Sequence, residues 1–181
     1  MSEEINVNKS AVSLIRADGF FKPNEPAAMA SVVHGLPWTE KVYGQEIENF
    51  SIILPNIAPV FSKMLGEEVE VDEKHSGIFR KPINNIVHFE HFDGLDEWCF
   101  VVALEKNTLN FFHHLKKGGA FGETDAKTVL DGYKFNYRNL FEWDLHTNIL
   151  LEPNQGVFFR PWLFHSLEDG IVQYYRLKKK C

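Results

Sequence analysis

From about residue 68 the chain is a succession of short runs rich in β-branched and aromatic residues, separated by turn-forming residues. The runs are EVEVD (68–72), INNIVHFEHF (83–92), EWCFVVALE (97–105), TLNFFHH (108–114), TNILLEP (147–153), GVFFRP (156–161), LFHSLE (163–168) and IVQYYRL (171–177). No long strand–helix alternation accompanies them, so a parallel α/β sheet is excluded. A row of short strands of this kind predicts a mainly β fold, a barrel or jelly roll, with α-helices packed outside.

Residues 1–67 read differently, as a mainly helical segment packed on a β core at 68–177. Asn24, Glu25 and Pro26 make a helix start and Gly35 a stop. A second helix is expected from about Asn56 to Leu65, ending at Gly66. LPWTEKVYGQ between them reads as a loop or short strand, and KKGGAFGETDAK (116–127) as a mobile loop that could serve as a lid. At 181 residues the whole suits one domain.

Composition narrows the function. A net charge of −6 and a single basic run, Lys178-Lys179-Lys180 at the C-terminus, argue against nucleic acid as a partner. Cys99 and Cys181 form no disulfide framework, and the start, MSEEINVNKS, lacks the basic and then apolar regions of a signal peptide. Apolar runs such as FVVAL are too short to span a bilayer. A cytoplasmic location and no membrane partner are the expectation; the oligomeric state is not legible. Phosphate-loop, CxxC and nucleophile-elbow motifs do not occur.

Two stretches can carry chemistry. HFEHFDG (88–94) offers His88-x-Glu90 and His91-x-Asp93 as metal ligands. Along a strand, residues i and i+2 share a face about 7 Å apart while neighbours oppose. Val87, Phe89, His91 and Asp93 therefore share one face and Ile86, His88, Glu90 and Phe92 the other, and one pair at most can serve. His91 and Asp93 lie next to the Gly94 turn, where a barrel mouth would expose them; a mid-strand Glu90 is more easily placed in solvent.

The second stretch is LFHSLEDGIVQYYR (163–176). Asp169-Gly170 is a strong signal for a type I′ hairpin turn. Such a hairpin pairs His165 with Tyr174 and Leu163 with Arg176, so His165, Tyr174 and Arg176 would share a face. Arg176 needs an anion if buried, and no acidic residue stands near it in sequence on that face, so a small-molecule carboxylate is the expected guest.

In order and spacing, His91-x-Asp93, His165 and Arg176 resemble the H-x-D…H…R pattern of the prolyl-hydroxylase-like 2-oxoglutarate- and Fe(II)-dependent oxygenases. LEPNQGVFFRPWLFHSLEDGIVQYYRL (151–177) is similar to that family's stretch leading to the distal histidine. The likeness covers about residues 83–177. It implies a double-stranded β-helix, the cupin-like jelly roll, in which His91, Asp93 and His165 ligate Fe(II) and Arg176 binds the distal carboxylate of 2-oxoglutarate. It further implies a dioxygenase that uses O₂, with ascorbate among the candidate cofactors, and hydroxylates a small-molecule or peptidyl substrate. Two histidines and a carboxylate leave open positions on an octahedral ion, as such chemistry requires. Where family members have a Ser or Thr two residues after the Arg, this chain has Lys178; Tyr174 or Asn110 could take over that contact with cosubstrate.

His113, His114 and His146 rank below these as packing or solvated residues, and Arg80 and Arg160 as alternative anion binders. Two other readings stay open. One is a cupin-type metal-dependent dioxygenase or isomerase without 2-oxoglutarate. The other is a non-enzymatic β-sandwich binding module.

Overall fold

The computed structural model describes residues 14–41, 44–82, 87, 97–114 and 140–180. Two helices, α1 (Glu25–His34) and α2 (Ile57–Leu65), and eleven strands make up the described part. The strands are β1 (Leu14–Asp18), β2 (Thr39–Lys41), β3 (Gly44–Ser51), β4 (Val69–Val71), β5 (Ile78–Lys81), β6 (Trp98–Ala103), β7 (Asn107–His114), β8 (Trp143–Leu151), β9 (Gln155–Phe159), β10 (Phe164–Glu168) and β11 (Val172–Lys179).

All described strand pairs are antiparallel. Eight strands form a large sheet in the order β1-β9-β6-β11-β5-β3-β2, and β4 follows β5 along the same edge of β11. Three form a small sheet in the order β10-β7-β8. From β6 to β11 every connection except that between β7 and β8 passes from one sheet to the other. That is the winding of a double-stranded β-helix, in agreement with the mainly β reading.

The large sheet is buried on both faces, which explains why β6 reads WCFVVA without polar alternation and is buried throughout. One face carries Phe100, Val102, Phe158, Tyr175 and Leu177 against the helices, where α2 contributes Ile57, Phe61 and Leu65 at helical spacing. The other carries Cys99, Val101, Ala103, Val157, Phe159, Val172 and Tyr174 and meets Leu109, Phe111 and Leu167 of the small sheet. This second layer is the barrel interior. Among the described residues no helix is long and apolar enough to cross a membrane.

Both expected helices are present. α1 has Pro26 in its first turn and Gly35 as its cap, and Gly66 closes α2 with a left-handed φ of 66°, its N–H donating to the Ser62 carbonyl. The described part of residues 1–67 holds three strands beside these helices. β1, β2 and β3 belong to that segment and all join the large sheet. Their sequences, LIRAD, TEK and GQEIENFS, lack a clean apolar alternation, because two of the three lie at the sheet ends and owe their extension to the neighbour's backbone.

Asp169 and Gly170 adopt positive φ values of 62° and 42°, as the turn signal required. They do not close a hairpin: β10 pairs with β7, while β11 pairs with β4, β5 and β6. The turn is a corner between sheets, seated on the β6–β7 connection. Asn107 donates through Nδ2 to the Asp169 carbonyl at 2.5 Å and the Gly170 carbonyl at 3.1 Å, and Glu105 accepts from the Ile171 N–H at 3.0 Å.

Gly156 of β9 marks a close approach. A Cβ there would lie 2.5 Å from the Phe100 ring and 2.8 Å from the Val101 carbonyl, at the point where Phe100 stacks on Phe158 with centroids 4.3 Å apart. Gly156→Ala is expected to lower the unfolding free energy by about 1–3 kcal/mol through overpacking. Denaturant unfolding checks this, and an unchanged midpoint would contradict the packing described.

Candidate active site

His165 enters the interior from β10. Its position opposite Phe111 on β7 sets its side chain among Phe111 and Phe159, with ring centroids 6.2 and 4.7 Å away, and leaves it 2% exposed. Nδ1 lies 2.7 Å from the Leu163 carbonyl oxygen. A carbonyl only accepts, so Nδ1 carries a proton, which leaves Nε2 as the nitrogen that could ligate a metal while the other is pinned. The donor chemistry of His165 thus suits a metal ion.

Tyr174 and Arg176 enter from the opposite wall. On β11 they alternate inward with Val172, while Gln173, Tyr175 and Leu177 face the helices. The expectation that His165, Tyr174 and Arg176 share one face of a hairpin is corrected: β10 and β11 lie in different sheets, and the three residues stand on facing sides of those sheets. They share the interior because two sheets face each other, not because two strands pair. The Tyr174 hydroxyl lies 2.9 Å from Cys99 Sγ, and the Arg80 guanidinium carbon is 4.1 Å from its ring centroid. Arg80 also donates through Nε to Glu46 at 3.0 Å.

Arg176 is 3% exposed and does have an acidic neighbour. Nε and Nη2 both donate to Oε2 of Glu97, at 3.0 and 2.8 Å, and Nη1 is 3.8 Å from Asp72 Oδ2. The inference of a guest carboxylate from a lack of local acids is thereby corrected. Glu97 precedes β6 and stands 79 positions from Arg176, brought alongside by the β6–β11 pairing of Cys99 with Arg176. Sequence reading missed Glu97; its signal, a carboxylate directly before a doubly buried strand, becomes informative only once β6 is known to flank β11. The Arg176 backbone is clamped too. Its N–H donates to Ser76 Oγ, and its carbonyl accepts from Ser76 Oγ and from the Asp72 N–H.

Asn110 is corrected as a cosubstrate contact. Leu109 and Phe111 occupy the interior, so Asn110 between them faces the other side of the small sheet, where Nδ2 donates to Glu168 at 2.8 Å. Arg160 stacks 3.7 Å over the Trp98 ring and donates from Nη1 to the Glu97 carbonyl at 3.0 Å. His113 lies 3.3 Å from Asp144, and Trp143 packs on Phe164.

His91 and Asp93, like the competing His88 and Glu90 and the 116–127 loop, lie outside the described residues. Among the described residues no group of three His, Cys, Asp or Glu could hold a metal ion.

No known family model and no curated protein matches the sequence. Among solved structures, the chain is similar to SnoN, a non-haem α-ketoglutarate-dependent epimerase from nogalamycin biosynthesis. The match covers 93% of this chain and 77% of that one, with a TM-score of 0.52 and 13% identity. HygX from Streptomyces hygroscopicus, solved with nickel, 2-oxoglutarate and hygromycin B bound, matches over 94% of this chain and 83% of its own, with a TM-score of 0.49 and 11% identity. The likeness is one of fold.

Around Asp72, burial alone would raise the carboxyl pKa. The hydrogen bond from His75 and the charges of His75, Lys178 and Arg176 outweigh it and hold the group below the usual carboxylate range. A carboxylate lowered in the folded state contributes stability in full above its unfolded value of about 4, and that contribution fades as pH falls through the folded value. Stability should therefore drop on acidification below about pH 4. Chemical denaturation of Asp72→Asn should show a shallower drop; a drop as steep as in the wild type would count against this role.

Proposed function

We propose that the chain is an Fe(II)- and 2-oxoglutarate-dependent dioxygenase that hydroxylates a small molecule or a peptidyl residue. One observation carries the reading. His165 and Arg176, the distal histidine and the arginine of the H-x-D…H…R order, project into one interior from opposed sheets of a double-stranded β-helix. The fold is that of SnoN, which by its name depends on α-ketoglutarate.

His91, Asp93 and His165 would hold the iron. When bound, iron with 2-oxoglutarate and O₂ supplies an oxidant for a substrate C–H bond while 2-oxoglutarate loses CO₂ to become succinate. The chain's own residues position and exclude. The Leu163 carbonyl fixes the His165 ring, Phe111 and Phe159 keep water from it, and Arg176 would fork the distal carboxylate of 2-oxoglutarate beside Tyr174.

A second reading, a metal-dependent barrel enzyme without 2-oxoglutarate, is favoured by one observation: Arg176 already bonds Glu97. Anaerobic addition of Fe(II) and then 2-oxoglutarate separates the two. The leading reading expects a weak visible charge-transfer band that needs both components and vanishes in His165→Ala. Arg176→Lys, which keeps the charge but loses the fork, should weaken 2-oxoglutarate at least about 10-fold and leave iron affinity unchanged. Iron binding with no response to 2-oxoglutarate would overturn the proposal in favour of the second reading.

A further inference from the structure

Along one edge, β11 is paired by two strands in turn. β5 takes Val172, Gln173 and Tyr174, and β4 takes Leu177, Lys178 and Lys179. Arg176 falls in the handover between them. On an antiparallel strand the N–H and carbonyl of one residue point to the same edge, and those of Arg176 point to this one. With neither strand opposite, both groups need another partner, because a buried backbone group left unpaired is as costly as a lost hydrogen bond.

Ser76 supplies that partner. Its hydroxyl accepts from the Arg176 N–H at 2.9 Å and donates to the Arg176 carbonyl at 3.1 Å, and the Asp72 N–H also donates to that carbonyl, at 2.9 Å. One hydroxyl thus grips both backbone groups of one residue. Ser76 is fully buried, and the turn that follows it is itself fixed. Gly77 has a φ of 71°, and a Cβ there would lie 2.5 Å from the Ile52 carbonyl oxygen. The Gly77 carbonyl accepts from the Ile52 N–H at 3.0 Å and from Gln173 Nε2 at 3.3 Å, which ties the turn back to β11.

What the hydroxyl holds is the base of the Arg176 side chain. In a close-packed interior the aim of a buried guanidinium follows the position of its own backbone. A fork that takes a carboxylate through parallel N–H groups tolerates displacement of only about half an ångström.

We propose that Ser76 is a positioning residue for the cosubstrate. Its hydroxyl fixes the Arg176 backbone at the point from which the guanidinium reaches the distal carboxylate of 2-oxoglutarate. Ser76 thereby sets cosubstrate affinity without touching the cosubstrate. This rests on the reading of Arg176 as the seat of that carboxylate.

The test is anaerobic titration of the Fe(II)-loaded protein with 2-oxoglutarate and, separately, with pyruvate, a 2-oxo acid that lacks the distal carboxylate. Binding is read by calorimetry in the wild type, Ser76→Ala and Ser76→Cys, with Fe(II) affinity measured alongside. Ser76→Ala should bind 2-oxoglutarate at least about 5-fold more weakly, with pyruvate and Fe(II) unchanged. Ser76→Cys, whose thiol is a weak donor and acceptor, should fall between the two. If Ser76→Ala unfolds at lower denaturant yet binds 2-oxoglutarate as the wild type does, the hydroxyl only supports the fold: the inference falls while the proposed function stands. An equal loss for both acids, or a loss of Fe(II) with them, marks a general loosening and overturns the inference too. If the wild type binds Fe(II) but not 2-oxoglutarate, the proposed function fails and takes the inference with it. Should Ser76→Ala not fold, Ser76→Cys decides: a loss confined to 2-oxoglutarate upholds the inference, and affinity equal to the wild type overturns it.

Discussion

A guanidinium sealed inside a β-barrel cannot stand without a counter-charge, and Arg176 dictates much of what surrounds it. Removing one partner of a buried ion pair costs about 3–5 kcal/mol, far more than the pair itself contributes, so Glu97 and Arg176 depend on each other. Their union fixes how β6 and β11 meet at the mouth of the interior, where Cys99 lies opposite Arg176. Ser76 and Asp72 then lock the β11 backbone at the same point, and Asp72 adds a second negative charge. A stretch otherwise made of large apolar side chains thereby acquires one charged corner.

That corner would be inaccessible to chemistry in a sandwich with a uniformly apolar interior. Here the strands of the β6–β11 segment switch sheets at nearly every connection, so residues from both walls converge on one space. His165 arrives from the small sheet and Tyr174 and Arg176 from the large one, with Phe111 and Phe159 between them. The helices take no direct part in this space. They cover the outer face of the large sheet through Phe61 and its neighbours, which frees the inner face to carry polar groups.

Most of the barrel was legible because its strands are buried on one or both faces and so carry their signal locally, as WCFVVA and GVFF do. β1 to β3 were not, because strands at a sheet's margin need little apolar sequence of their own. The Asp169-Gly170 turn is instructive in another way. Its backbone conformation is a local property and followed from two residues, whereas the strand that β10 pairs with is a property of the whole winding. Inward placement of His165 and Arg176 survived that error, since either arrangement puts both on one side. Asn110 did not survive, because a single step along β7 reverses its face. Glu97 was hidden by sequence distance alone: nothing local ties it to a residue 79 positions away.

The central claim is that the interior between the two sheets is a metal site with a carboxylate seat at Arg176. A crystal structure of the protein grown anaerobically with Fe(II) and 2-oxoglutarate tests it most directly. The account predicts a metal within bonding distance of His165 Nε2, shared with His91 and Asp93, and 2-oxoglutarate held by Arg176. A metal bound elsewhere, or 2-oxoglutarate absent from Arg176, would contradict the account.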